Sequence, residues 1–310
     1  MKNTKVVFMG TPDFAVPILE GLIENYTVVL VVSQPDRRVG RKQELVNTPT
    51  KEVALKNNIP VFQPEKIRND YQTVLDCDAD IIVTCAYGQI IPKEILDAPR
   101  LGCINVHGSL LPKYRGGSPI QTAIINGEKE TGITVMYMAS KMDSGNIIAQ
   151  RSIPILDTDD NGTMFNKLSV LGSELLLETL PSIFDGTNDR IPQDESLVTF
   201  AYNIKKEEEK LDFSKTAREV HNQIRGLYPF PTSYTTLNGE IIKICESRIG
   251  EKKSGSVGEI VSVYEDGIGV MCSDKEVIIS RLKPAGKKEM SARDFVNGRG
   301  KDKLMGEILC

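Results

Sequence analysis

Residues 103–119 read Cys-Ile-Asn-Val-His-Gly-Ser-Leu-Leu-Pro-Lys-Tyr-Arg-Gly-Gly-Ser-Pro, a short apolar run followed by a glycine, a proline turn and a basic loop. The run predicts a buried strand in which alternate side chains face the same side, so Asn105 and His107 are expected together at its end. The chain contains two histidines, which makes this position distinctive. An amide donor beside an imidazole suits a carbonyl that becomes tetrahedral and negatively charged.

The sequence around this run has the pattern of a parallel α/β sheet. Apolar β-rich runs alternate with helical patterns, as expected where helices cover both faces of such a sheet. The predicted strands are 5–10, 27–33, 80–84, 103–107 and 133–138, and the predicted helices are 14–24, 50–57, 67–76, 119–126 and 163–184. Ligands of such sheets bind outside the carboxyl ends of the strands, where His107 is expected.

A change of pattern beyond residue 185 indicates a second domain. Gly, Asn, Asp and Pro cluster first, and a charged run follows at 205–210, a composition typical of a solvated linker. Five short β-rich runs come next, at 233–237, 240–246, 259–264, 267–272 and 276–281. We expect a Rossmann-like, mostly parallel sheet with helices on both faces over 1–189, a linker over 190–208, and a smaller OB-like β-barrel domain over 209–310.

Composition is typical of a soluble globular protein. The chain has 310 residues, 40% hydrophobic and 26% charged, with a net charge of −4 and no apolar run of membrane-spanning length. Its apolar start is too short for a signal peptide. Six cysteines without a C-x-x-C pair and two histidines predict neither a structural zinc site nor disulfides. We expect a cytoplasmic protein without a metal or a membrane partner, and a monomer.

The first strand is followed by Gly10-Thr11-Pro12-Asp13-Phe14, which departs from the dinucleotide-binding pattern G-x-G-x-x-G. A pyrophosphate needs glycines at this turn so that the backbone can approach it closely. Pro12 also removes one amide donor from the turn. The sequence therefore disfavours a nicotinamide-dependent oxidoreductase.

Asp143 is a third candidate for the site of Asn105 and His107. It lies in the loop Lys-Met-Asp-Ser-Gly at 141–145, after the predicted strand 133–138, so it could also reach a carboxyl end of the sheet and orient the imidazole. The alternative is a core histidine with its polar atoms satisfied, and an aspartate that only caps a Ser-Gly turn. Residue types and spacing leave both interpretations open.

Longer motifs resemble the folate-dependent formyltransferases. They are Asn-Val-His-Gly-Ser-Leu-Leu-Pro at 105–112, Pro-Ile-Gln at 119–121, Glu-Thr-Gly-Ile-Thr at 130–134 and Asp-Ser-Gly at 143–145. Flanking motifs at 8–15, 34–37, 85–88 and 282–292 are similar to those of the family members that act on initiator tRNA. The likeness extends from residue 6 to about residue 300.

The resemblance implies transfer of the formyl group of 10-formyltetrahydrofolate to the α-amino group of methionyl-initiator tRNA. Asn105 and protonated His107 would donate hydrogen bonds to the oxyanion, and Asp143 would hold His107 charged and help relay the amine proton, with no metal. The folate contacts that it implies are Ser109, Leu110, Leu111 and Pro112, together with backbone at Ala86, Tyr87 and Gly88. The alternatives are a formyltransferase acting on a small amine such as an amino-sugar nucleotide, and a tRNA-binding module with a degenerate catalytic domain.

Two basic clusters predict contacts with phosphate. Residues 34–42 form a predicted loop of net charge +3, and residues 281–303 have a net charge of +5 on a chain of net charge −4. Either cluster alone fits a solvated face, but two clusters beside formyltransferase motifs favour tRNA. Arg41 falls at an arginine of the family's acceptor-stem loop. The expected tRNA-binding residues are Arg37, Arg38, Arg41, Lys42, Lys283, Lys287 and Lys288.

Overall fold

The computed structural model describes residues 4–40 and 43–310, which form two compact units. The first unit contains the chain through Pro119, Thr131–Ile153 and Phe165–Tyr202. The second contains Ile120–Glu130, Pro154–Met164 and Asn203–Cys310. Residues 190–202 of the predicted linker therefore lie in the first unit, and the predicted domain boundaries stay a prediction.

The first half of the chain forms a seven-stranded sheet of order β5-β2-β1-β6-β7-β8-β9, and β3 and β4 pair separately as a hairpin. The strands are β1 (Lys5–Gly10), β2 (Thr27–Val32), β3 (Arg37–Val39), β4 (Glu44–Val46), β5 (Val61–Phe62), β6 (Ile81–Cys85), β7 (Cys103–His107), β8 (Glu130–Tyr137) and β9 (Ile147–Pro154). The pairs from β5 to β7 are parallel, whereas β8 is antiparallel to β7. The expected mostly parallel α/β sheet is confirmed.

Burial explains why these runs form central strands. Every residue of β6, and every residue of β1 after Lys5, is buried, as expected for strands covered on both faces. The helices of this half of the chain are α1 (Val16–Asn25), α2 (Pro49–Lys56), α3 (Gln72–Leu75), α4 (Lys93–Leu96), α5 (Pro119–Ile125) and α6 (Asn161–Phe184). Helix α1 has a proline in its first turn, where the missing N–H costs no intrahelical hydrogen bond, and the helix buries Ile18, Leu19 and Leu22.

The second unit contains a curled antiparallel sheet of order β10-β11-β14-β13-β12, with β15 paired to β14. Its elements are α7 (Ala217–Leu227), β10 (Tyr234–Leu237), β11 (Glu240–Ile249), β12 (Ile260–Val263), β13 (Ile268–Met271), β14 (Glu276–Pro284), β15 (Met290–Ser291), α8 (Ala292–Arg299) and α9 (Lys301–Leu304). Asn238 and Gly239 have φ of +50° and +81°, as a two-residue hairpin turn requires. This sheet agrees with the expected OB-like fold.

The prediction of a loop over 34–42 is wrong for Arg37 and Arg38. Both lie in β3, where Arg37 is opposite Val46 and Arg38 is opposite Leu45. Backbone pairing with β4 stabilises this hairpin, which has no buried apolar face that a sequence pattern would reveal. Arg41 and Lys42 lie outside the described residues. Over 4–40 and 43–310, no helix is long and apolar enough to cross a membrane.

Candidate active site

Asn105 is oriented by a threonine on the neighbouring strand. The parallel register of β6 and β7 puts Thr84 beside Asn105. The Thr84 hydroxyl donates to Asn105 Oδ1 at 2.8 Å. Since the amide oxygen already accepts this bond, the Nδ2 group is the part of the side chain that can donate to a ligand.

His107 lies at the carboxyl end of β7 and is only 7% exposed. Its Nε2 is 3.0 Å from the backbone oxygen of Tyr114. A carbonyl oxygen only accepts, so Nε2 must hold a proton. The other ring nitrogen, Nδ1, lies 3.8 Å from Asp143 Oδ2. Nδ1 is therefore the nitrogen left to face both the carboxylate and a reacting group.

Asp143 reaches His107 by a path that the sequence pattern did not predict. Because β8 is antiparallel to β7, its last residue, Tyr137, is opposite Ile104 rather than His107. The loop between β8 and β9 then brings Asp143 back to His107. The backbone N–H of Gly116 donates to Asp143 Oδ2 at 2.8 Å, so this carboxylate contacts the basic loop as well as the imidazole.

The turn Ser109–Pro112 is held in place by polar side chains of β8 and β9. Thr134 is opposite His107 in the register. Its hydroxyl donates to the backbone oxygen of Ser109 at 2.6 Å and accepts from Leu111 N at 3.1 Å. Gln150 Nε2 donates to the Leu111 oxygen at 2.8 Å. The four residues predicted to contact folate, Ser109, Leu110, Leu111 and Pro112, thus form a fixed turn that directly follows the His107 strand end.

Ala86, Tyr87 and Gly88 line a cavity of about 460 Å³ at the carboxyl ends of β1, β2 and β6. This is the point where the strand order reverses direction, a usual ligand position in such sheets. Gln34 Nε2 donates to the backbone oxygen of Tyr87 at 2.9 Å and so fixes the backbone of this part of the cavity wall. The Tyr87 ring is buried, and burial raises its pKa to about 12.

The same cavity separates the predicted residues into two groups. Arg37 and Thr11 are among its other lining residues. As far as the described residues show, neither the trio Asn105, His107 and Asp143 nor the turn 109–112 lines it. Arg37 thus lines the same cavity as Ala86–Gly88, whereas the turn 109–112 does not line that cavity.

The described basic residues that were predicted to bind tRNA are all exposed. Arg37 and Arg38 are in the first unit, where Arg38 Nη1 donates to the Gln43 oxygen at 3.0 Å. Lys283, Lys287 and Lys288 are in the second unit, and all three are exposed.

Sequence reasoning missed several polar residues that hold the site together. The hydroxyl of Thr84 interrupts the apolar run of β6, a signal that could have indicated its role. Thr134 and Gln150 gave a weaker signal, because both lie on strands with other polar residues. Gln193 donates to the backbone oxygen of Asp143 across 50 residues of chain and lies in a mostly polar stretch without a regular pattern, so the sequence had no signal for it.

Comparison with protein families identifies two matching regions. A family described as formyl transferase matches residues 4–180, and one described as formyl transferase, C-terminal domain, matches residues 203–300. The chain is 50% identical over 309 residues to the methionyl-tRNA formyltransferase of Staphylococcus epidermidis, with 99% of each chain covered. It is 49% identical over 310 residues to that of Halalkalibacterium halodurans, with 98% of each covered.

Solved structures agree at the level of the fold. An N-formyltransferase from Helicobacter canadensis, in complex with folinic acid and dTDP-3-aminofucose, is similar with a TM-score of 0.70. The similarity covers 89% of this chain and 98% of that chain at 24% sequence identity.

Proposed function

The chain belongs to the formyl transferase family, and from this premise we propose that it transfers the formyl group of 10-formyltetrahydrofolate to the α-amino group of methionyl-initiator tRNA. The product is N-formylmethionyl-tRNA, which serves translation initiation. The observation that carries this conclusion is the identity of about half of all residues, over nearly the full length, to methionyl-tRNA formyltransferases.

Asn105 and His107 are suited to stabilise the oxyanion of this reaction. The methionyl amine attacks the formyl carbon, and the carbonyl oxygen becomes negatively charged. Asn105 Nδ2 and the protonated Nδ1 of His107 donate hydrogen bonds to that oxygen. The loss of one such donor typically costs about 3–4 kcal/mol of transition-state stabilisation. The hydrogen bonds of Asn105 Oδ1 and His107 Nε2 support this assignment, because they leave the opposite donors for the substrate.

Asp143 completes the proposed trio. Its carboxylate oxygen Oδ2 lies 3.8 Å from His107 Nδ1, where it can orient the imidazole. The attacking amine loses a proton, and the folate nitrogen gains one when its bond to the formyl carbon breaks. We assign Asp143 to this proton relay, through water.

The two substrates are assigned to different parts of the chain. The folate donor contacts the turn Ser109–Pro112 and the backbone of Ala86, Tyr87 and Gly88. The tRNA contacts the basic residues of the 34–42 segment and of the C-terminal domain, which is predicted at 209–310. We place the protein in the cytoplasm as a monomer.

The test uses purified protein, 10-formyltetrahydrofolate and methionine-charged initiator tRNA. We expect formylmethionine on the initiator and little on a methionine-charged elongator tRNA. A third reaction with an amino-sugar nucleotide addresses the alternative acceptor. Formylation of the sugar amine without formylation of tRNA would overturn the proposed acceptor while keeping the reaction.

A test of the tRNA side uses Arg41, which is assigned from the resemblance alone. Arg41→Ala is expected to raise KM for the tRNA at least about tenfold, because it removes a phosphate contact or a contact in the acceptor stem. KM for the folate is expected to change less than about twofold. Equal effects on both constants, or none, would remove this segment from the tRNA interface.

A further inference from the structure

Residues 191–201, which we call the strap, pair at one end with the first residue of β9, which follows the Asp143 loop, and at the other end with Arg115 in the basic loop. At one end, Ile191 and Ile147 exchange backbone hydrogen bonds of 2.9 and 2.8 Å. At the other end, Arg115 N donates to the Thr199 oxygen at 2.9 Å, and Ala201 N donates to the Arg115 oxygen at 2.8 Å. The strap lies wholly in the first unit, so it is part of the fold that contains Asn105, His107 and Asp143.

Between these ends, the Gln193 carboxamide joins the Asp143 loop directly to the basic loop that contains Arg115. Its Nε2 donates to the backbone oxygens of Asp143 and Gly145, both at 2.8 Å. Its Oε1 accepts from Nε and Nη2 of Arg115, at 3.0 and 2.8 Å. All four contacts need the full amide, because one end of the group donates twice and the other accepts twice.

We call the hydrogen-bonded pair Gln193 and Arg115 the clamp. The residues on either side of Arg115 in sequence contact His107 and Asp143. The guanidinium is buried although it is charged, with the residue only 3% exposed, so its partners fix its position closely. The preceding residue, Tyr114, accepts the Nε2 hydrogen bond of His107, and the following residue, Gly116, donates to Asp143 Oδ2. Gln193 therefore ties the loop of Asp143 to the loop that contacts both His107 and Asp143.

We propose that Gln193, acting with Arg115, is a positioning residue that fixes the Asp143 carboxylate against His107 for formyl transfer. This proposal rests on the proposed function of the trio. The Nδ1–Oδ2 separation of 3.8 Å is longer than a hydrogen bond, so the position of the Asp143 loop decides how strongly the two groups interact. A misplacement of about 1 Å in a catalytic group can lower the rate about a hundredfold.

Two substitutions at Gln193 distinguish the role of the donating Nε2 group from that of the accepting Oε1 atom. Gln193→Glu keeps the acceptor for Arg115 but replaces the donor to the two carbonyls with an oxygen, and Gln193→Ala removes both ends. We expect each variant to lower kcat about 10- to 100-fold, with KM for the folate and for the tRNA within about twofold of wild type. Wild-type kcat in Gln193→Glu would overturn the proposal. Because Gln193→Glu keeps the size and the arginine contact, it remains informative if Gln193→Ala unfolds.

Asp194→Asn is the matched control in the same strap. Among the residues that the structure describes, the Asp194 side chain accepts only from Ser196 in its own turn, and an asparagine oxygen can do the same. The kcat of the Asp194→Asn variant is expected to lie within about twofold of wild type. A loss as large as that of Gln193→Glu would show general sensitivity of the strap and would overturn a specific role for Gln193.

A double-mutant cycle tests whether Gln193 acts through Asp143. In an Asp143→Asn background, Gln193→Ala is expected to lower kcat by less than about twofold further, because its target is already removed. If the two effects multiply in full, the positioning role fails while the proposed function stands. If Asp143→Asn alone retains wild-type kcat, the role of Asp143 fails, and formylation by the wild-type protein still tests the reaction separately.

Discussion

At the scale of single residues, the site depends on which end of each polar group is already occupied. The strand period predicted that Asn105 and His107 lie on one side of β7, and that prediction depends only on local geometry. The contacts that orient them, from Thr84 and to the Tyr114 oxygen, depend on neighbouring strands and loops. Sequence patterns predict local geometry well but not these partners, because each partner is chosen by the tertiary fold.

Asn105→Asp tests the donor role at nearly constant shape. The carboxylate can still accept from Thr84, but it cannot donate to the oxyanion and it adds negative charge beside it. We expect kcat to fall about 100- to 1000-fold with small changes in KM. Thr84→Val is a graded control, since it removes only the orienting bond and is expected to lower kcat less. An Asn105→Asp variant with more than about a tenth of wild-type kcat would contradict the oxyanion role.

At the scale of elements, apolar strands were predicted well and polar ones were missed. The predicted strand 103–107 has the bounds of β7, because a buried run between turns leaves little choice. Strand β9 was not predicted, since its exposed half contains polar residues. The predicted helix 67–76 is reduced to α3, Gln72–Leu75, because residues 66–70 form backbone turns instead.

Helix α7 contains a group that makes the second unit sensitive to acid. His221 is 8% exposed, and its pKa is lowered from 6.5 to about 4, chiefly by burial and then by the charges of Arg225 and Arg218, with Asp157 acting in the opposite direction. Its Nδ1 lies 3.0 Å from Ser247 Oγ. Folding therefore favours the neutral imidazole, whereas the unfolded chain binds a proton at pH below 6.5.

The stabilisation from neutral His221 is complete above pH 6.5 and is lost as the pH falls toward 4. The expected loss in free energy of unfolding is about 3 kcal/mol. Urea unfolding of wild type and His221→Gln at pH 7 and pH 5 checks this. The variant is expected to be less stable at pH 7 but less sensitive to the change. Equal sensitivity in both proteins would mean that other groups cause the acid effect.

At the scale of the whole molecule, charge distribution matters more than total charge. The chain has a net charge of −4, yet residues 281–303 contain eight basic and three acidic residues. Arg281 pairs with Glu289 at 2.6 Å, whereas Lys283, Lys287 and Lys288 make no ion pair within the part of the chain that is described. Composition predicted this imbalance, but only the structure distinguishes a paired arginine from exposed lysines.

The double variant Lys287→Ala/Lys288→Ala tests the proposed phosphate contacts. Each phosphate contact releases about one counterion, so the slope of log affinity for tRNA against log salt is expected to become shallower by about 2. KM for the folate is expected to stay within about twofold. An unchanged slope would place these lysines outside the tRNA interface. The control Lys93→Ala removes an exposed lysine that pairs with Asp97, and it is expected to leave the slope unchanged.

The strap has a consequence for recombination between relatives of this chain. A chimaera joined after residue 189 would receive a foreign residue at position 193, together with foreign partners for Arg115. One joined after Tyr202 would keep the native clamp and exchange only the residues beyond it. We therefore expect exchange of the C-terminal domain to preserve formyl transfer only with the later junction. Residues 190–202 must then come from the same parent as the catalytic domain.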